Sequence, residues 1–125
     1  MKFSDKVLNK ISGRNIETIP MTLEQMVALL NKLYISQAST QTEYDEIIKT
    51  LKGSLWRDKT LLSKDGKFEI NCSTGNAGGI FNWNHKNDIW IHEKETDKFY
   101  EYHAHSFKKL RKMVQERISA RKANL

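Results

Sequence analysis

The sequence predicts a single α+β domain over residues 1–125, with N-terminal helices, an antiparallel β-meander of four to five strands, and a basic C-terminal helix packed on the sheet. Two observations carry this prediction. Apolar residues recur at helical intervals in the first half of the chain and again after residue 106, whereas they alternate with polar residues over much of 61–104. A chain of 125 residues has the size of one domain and can bury a core without disulfides.

The first half predicts three helices, each marked by a capping residue and an apolar stripe: 4–13, 23–35 and 42–52. Thr22 and Gln25 have the spacing of a capping box at the start of the second helix. Thr42 is predicted to cap the third. Residues 14–21 are predicted to be a connector, because Pro20 biases the residue before it away from the α region.

The second half predicts strands joined by turns. The turn signal at 63–66 separates two short β-rich segments and predicts a hairpin. The glycine-rich residues 74–79 are predicted to form a loop. Three further β-rich runs complete the predicted antiparallel meander: 80–85, 88–93 and 98–104.

The C-terminal segment combines a helical stripe with a concentration of positive charge. Phe107, Leu110, Val114 and Ile118 fall on one side of a helix. The chain carries 21 basic and 15 acidic residues, but residues 1–105 hold 14 of each, so the whole net charge of +6 lies in the segment 106–125. Its basic residues are Lys108, Lys109, Arg111, Lys112, Arg117, Arg121 and Lys122.

These seven basic residues are the candidate nucleic-acid-binding residues. Lys108 and Lys109 stand in the first turn of the predicted helix, where the partial positive charge of the helix terminus disfavours cations. Phosphates would compensate for this arrangement, since each one that is neutralised releases counterions. The main hypothesis is therefore a protein that binds nucleic acid or a nucleoprotein complex, and this hypothesis includes no reaction. A solvated helix face that aids solubility is the simpler explanation.

Aromatic residues are a second candidate contact. Seven of the twelve aromatic residues, and all four histidines, lie between residues 81 and 107. If the isoleucines of 88–93 face the core, Trp90, Tyr100 and Tyr102 are predicted to share an outward platform with His92, on which bases stack. The alternative is that these aromatics belong to the core.

An enzyme is the alternative function of a different class. A metal-independent ribonuclease needs a general acid, a general base and a cation near the scissile phosphate. A toxin-like ribonuclease would use His92 or His103 together with Glu93 or Glu101, which are strand residues of suitable chemistry. A third hypothesis is an inhibitor protein of the phage or mobile-element type, whose basic helix would enter the acidic channel of a host nucleic-acid-processing enzyme.

No cofactor or metal is expected. His103 and His105 share a strand face, and His92 could add a third nitrogen, but this spacing is common by chance. Cys72 is the only cysteine, so an intramolecular disulfide is excluded and a reducing compartment is favoured. No apolar run has the length of a membrane span. The expected protein is soluble and cytoplasmic, with no membrane partner.

Overall fold

The computed structural model describes residues 17–52, 60–73 and 87–123, and in these ranges the chain forms a five-stranded sheet and three α-helices. The helices are α1 (Leu23–Leu30), which continues into a π-helical turn (Asn31–Ile35), α2 (Gln41–Lys52) and α3 (Lys108–Ala123). The strands are β1 (Glu17–Pro20), β2 (Leu61–Leu62), β3 (Phe68–Ser73), β4 (Asn87–Glu93) and β5 (Lys98–Ala104). The predicted α+β class is confirmed.

The strand order in the sheet is β1-β5-β4-β3-β2. Strands β2 to β5 form the predicted antiparallel meander, each hydrogen-bonded to the next along the chain. Gly66, at φ 74°, provides the left-handed residue of the β2–β3 turn. The predicted helix 4–13, loop 74–79 and strand 80–85 lie outside the described residues.

Strand β1 corrects the prediction of a connector over residues 14–21. Its four residues pair in parallel with β5, so that Ile19 lies beside Tyr100. The backbone N–H of Met21 donates to the carbonyl of Glu101 at 2.7 Å and continues this contact. Pro20 is compatible with a strand here because β1 is at the edge of the sheet, where a missing N–H costs no interior ladder bond.

The helix starts show how local side chains define these elements. Thr22 Oγ1 accepts from the N–H of Gln25 at 3.1 Å, and Gln25 Oε1 accepts from the N–H of Thr22 at 2.9 Å, so the predicted capping box is formed. Helix α2 begins earlier than predicted. Thr40 Oγ1, not Thr42, accepts from the N–H of Glu43 at 3.2 Å, because Thr40 stands three residues before Glu43.

All three helices and one face of the sheet share a single core. The predicted stripe of the C-terminal segment is fully buried there, with 0% to 4% of each side chain exposed, so the packing of α3 on the sheet is confirmed. The other buried apolar residues of the core come from α1, the π-helical turn, the segment before α2, α2, β3 and β4: Met26, Val27, Leu30, Tyr34, Ile35, Ala38, Tyr44, Ile47, Leu51, Ile70, Cys72, Ile89 and Ile91.

Candidate nucleic-acid interface

Two arginines of α3 donate hydrogen bonds to backbone carbonyls of other segments. Arg111 Nη1 donates to the carbonyl of Leu51 at 3.4 Å, and Arg121 Nε donates to the carbonyl of Ala38 at 3.1 Å. Leu51 lies in the last turn of α2, whose carbonyls lack a helical partner and favour a nearby cation. These two predicted nucleic-acid-binding residues are therefore engaged with backbone oxygens and are half-buried.

Lys122 also contacts α2, but it remains exposed. Its ammonium group donates to Gln41 Oε1 and lies 5.7 Å from the centre of the Tyr44 ring. Gln41 and Tyr44 belong to the first turns of α2, whereas Arg111 contacts its last turn. Helices α2 and α3 are therefore antiparallel neighbours, with cations of α3 at both ends of the contact.

The other predicted basic residues of α3 point into solvent. Lys108, Lys109, Lys112 and Arg117 are all exposed, and the first turn of α3 contains no acidic residue. Lys108 and Lys112 are one helical turn apart and flank the side of α3 that carries Ser119 and Lys122. Since α3 rises about 1.5 Å per residue, Lys108 and Lys122 mark a basic ridge about 21 Å long.

A groove of about 440 Å³ lies between α2 and α3. One wall carries Lys49 and Lys52 of α2, and the other carries Gln115, Ser119 and Lys122 of α3. The sequence-based interpretation missed Lys49 and Lys52. Their only local signal is their position in the last turn of a helix, where cations are generally favourable, and only the packing of α2 against α3 places them in the same groove as Lys122.

The predicted aromatic platform is wrong, because the strand register splits its members between the two faces of the sheet. Tyr102 lies opposite Ile89, and Tyr100 lies opposite Ile91, so both tyrosines share the helix-covered face with these isoleucines. Trp90 is on the other face. Alternation along β5 correctly pairs the two tyrosines with each other, but the register against β4 decides which face they occupy.

The tyrosine hydroxyls are consistent with this packed environment. Tyr100 donates to Glu93 Oε1 at 2.9 Å, and burial, followed by the neighbouring Glu93 carboxylate, raises the pKa of Tyr100. The Tyr102 ring packs near the Phe107 ring, with centroids 6.3 Å apart, and burial raises the pKa of Tyr102 as well. These tyrosines are core components, not a stacking surface.

The opposite face of the sheet carries a network of hydrogen-bonded side chains centred on Glu101. Trp90 Nε1 donates to Glu101 Oε1 at 2.9 Å, and His103 Nε2 lies 3.2 Å from Glu101 Oε2. His103 Nδ1 contacts Asp88 on the neighbouring strand. Because only 1% of Glu101 is exposed, its carboxyl group depends on these partners for solvation.

A second hydrogen-bonded network surrounds His92. Its Nδ1 lies 3.2 Å from Glu69 Oε1, its Nε2 lies 2.9 Å from Asp97 Oδ1, and its ring stacks on Phe99 at 4.3 Å. Carboxylates only accept hydrogen bonds, so the imidazolium form of His92 is the one that donates to both of them. This arrangement ties β3, β4 and the β4–β5 turn together.

Of the residues proposed for a ribonuclease, the structure brings His103 and Glu101 together, with Nε2 and Oε2 3.2 Å apart, but it separates the other two from this pair. Glu93 lies on the helix-covered face, against Tyr100. His92 pairs with Phe99, four residues from His103 along β5, which separates the two histidines by about 13 Å at roughly 3.3 Å per residue. Two groups this far apart do not act together on one phosphate. The same separation prevents His92 from joining His103 at a common metal ion.

The described residues contain neither a cluster of metal ligands nor a membrane-spanning helix. Within 17–52, 60–73 and 87–123, no three His, Cys, Asp or Glu side chains are arranged to hold a metal ion. No helix in these ranges has both the length and the apolar character needed to cross a bilayer. The chain matches no protein-family model, no curated protein and no solved structure. A function is therefore proposed from its geometry alone.

Proposed function

We propose that the protein binds nucleic acid through the basic surface of α2 and α3. The observation that carries this proposal is the α2–α3 groove, which Lys49 and Lys52 line towards one end and Lys122 lines at the other. Lys108 and Lys112 extend the same surface along α3, and both are exposed. Five lysines on two packed helices form a charged surface that is wider than a single helix.

Phosphate binding gives these lysines a physical role. Each phosphate that a lysine neutralises releases condensed counterions, and this release supplies affinity that falls as salt rises. The groove lining contains one acidic residue, Asp45, against three lysines, so its local field favours an anion. Lys108 also stands at the helix terminus where it opposes the helix dipole, and a bound phosphate would offset that cost of a few tenths of a kcal/mol.

Binding to labelled DNA and RNA over a salt series tests the proposal. The logarithm of the association constant should fall linearly with the logarithm of the salt concentration, since the affinity depends on ion release. The variants Lys112→Ala and Lys52→Ala should each lower the slope by about one, provided that each lysine contacts one phosphate.

Lys94→Ala is the matched control, because it removes one exposed positive charge from the β4–β5 turn, at the end of the sheet away from the start of α3. If the slope becomes shallower by the same amount in this variant, nucleic acid is attracted by the charge of the whole protein and not by the proposed surface. If the protein binds neither nucleic acid at low salt, the proposal is wrong. Binding to polyglutamate alone would then favour the inhibitor hypothesis, whose target is an acidic protein channel.

A further inference from the structure

The α2–α3 groove contains more than positive charge. Its floor is apolar and comes from Ile48, Ile118 and the ring of Tyr44. Ile118 and Tyr44 are only 4% and 2% exposed, so the half-buried Ile48 supplies most of the apolar surface that a base can contact. Gln115 and Ser119 add hydrogen-bonding groups to the wall formed by α3.

This combination corresponds to the parts of a nucleotide. Lysines at the rim attract a phosphate, an apolar floor accepts the flat face of a base, and amide and hydroxyl groups can bond its polar edge. The groove volume of about 440 Å³ lies in the range of small-ligand sites, which begins near 300 Å³. A duplex would use the lysines alone, because its bases are paired and stacked in the interior.

We infer that the groove takes an unpaired nucleotide, so that the protein prefers single-stranded nucleic acid to duplex. The inference rests on the proposed function and deepens it by naming the form of the nucleic acid. The phosphates on either side of this nucleotide contact Lys49 or Lys52 towards one end of the groove and Lys122 at the other end. The base lies on Ile48, within reach of Gln115 and Ser119.

The test compares three ligands of one sequence with the wild-type protein: a labelled single strand, its duplex, and a single strand whose central bases are replaced by abasic sites. The intact single strand should bind at least about tenfold more tightly than the duplex, which is the effect of one well-placed base contact. The abasic strand retains the phosphates and should bind about as weakly as the duplex. DNA and RNA versions separate the two sugars.

A bulky substitution gives an independent test without a change in charge. Ser119→Trp fills the groove, whereas Ala120→Trp places the same side chain on an exposed position farther around α3. The first variant should bind the single strand no more tightly than the duplex. The second should match the wild type. Circular dichroism of both variants checks that the fold is kept, and the three-ligand comparison needs no variant.

The failures of the two proposals are distinguishable. Equal wild-type affinity for the single strand, duplex and abasic strand overturns the inference and leaves charge-driven binding in place. A strand preference that survives in the Ser119→Trp variant also overturns it, because the base then lies outside the groove. Absence of binding to all three ligands at low salt rejects the proposed function itself.

Discussion

Arg121 Nε lies 3.1 Å from the carbonyl oxygen of Ala38, and this contact joins the last turn of α3 to the segment that precedes α2. Ala38 is only 2% exposed, and its carbonyl also accepts from the Tyr44 hydroxyl at 3.3 Å. A buried carbonyl with two donors fixes the position of α2 relative to α3. The shape of the groove between these helices therefore depends on a residue that the charge pattern assigned to ligand binding.

Replacing Arg121 should weaken the fold. Arg121→Ala removes a charged hydrogen-bond donor from a buried carbonyl, and we expect the free energy of unfolding to fall by about 1 to 2 kcal/mol, since the guanidinium is half-buried. Lys108→Ala, at an exposed position, should change it by less than about 0.5 kcal/mol. Urea denaturation of both variants measures the difference. Equal losses would show that the Arg121–Ala38 contact adds no stability.

Removing the Glu101 carboxyl group should have a larger effect. Glu101→Ala removes the carboxylate partner of the Trp90 indole N–H and of His103 Nε2 at an almost fully buried site, and we expect the free energy of unfolding to fall by about 3 kcal/mol. Glu95→Ala breaks only an exposed ion pair with Lys67, at 3.7 Å, and should cost less than about 0.5 kcal/mol.

A double-mutant cycle separates the pairwise contribution. Trp90→Phe removes the indole donor, and in the Glu101→Ala background this change should cost less than in the wild type. The unfolding free energies of the four proteins give the coupling. Strictly additive losses would contradict a direct interaction between Trp90 and Glu101.

The helices were predictable from the sequence because their signals are local. The capping box at Thr22 and the stripe that ends at Ile118 both depend on spacings within one helix, and both are formed. Strand β1 was missed because its partner, β5, lies some 80 residues later, and no local pattern specifies a parallel pair.

The candidate site was only partly predictable for the same reason. The concentration of lysine and arginine on α3 is visible in the sequence, but its division into exposed residues and residues bound to backbone carbonyls is not. Arg121 contacts a residue 83 positions away. Lys52 joins the site only because α2 and α3 pack side by side. The face of Tyr100 likewise depends on its register with Ile91, not on the alternation within β5.

Asp97 combines an unusual backbone conformation with a side-chain contact to His92. Its φ of 55° is left-handed, and its carboxylate lies 2.9 Å from His92 Nε2. Asp97→Asn should be mild, because asparagine tolerates this conformation. Asp97→Gly removes the carboxylate but relieves the backbone, whereas Asp97→Val removes the carboxylate and adds strain. We expect the free energy of unfolding of the Asp97→Val variant to be about 1 to 2 kcal/mol lower than that of the Asp97→Gly variant.

Thermal or urea unfolding of these three variants separates the backbone contribution from the side-chain contribution. The difference in unfolding free energy between the Val and Gly variants measures the backbone strain. The difference between the Asn and Gly variants measures the loss of a polar contact with His92. If valine and glycine are equally stable, the turn changes conformation when Asp97 is replaced, and the left-handed residue is not required.

Glu43 should make the stability of the protein depend on pH in acid. The Lys64 ammonium, 3.1 Å away, and the backbone N–H of Ser39 lower the pKa of Glu43 from its ordinary value of 4.5 to about 2. Because the folded pKa is depressed, the stabilisation is fully present above about pH 4.5 and is lost as the pH falls towards 2. The contact joins the start of α2 to the β2–β3 turn.

Unfolding free energies over this pH range test the assignment with three variants. Glu43→Gln should be less stable than the wild type above pH 4.5, and the difference should shrink to nothing near pH 2. Lys64→Ala should reduce the acid dependence, since the lysine is the largest cause of the shift. Glu46→Gln, which removes the same charge from an exposed position on the same helix, is the matched control. A Glu43→Gln profile parallel to the wild type would show that another group causes the acid dependence.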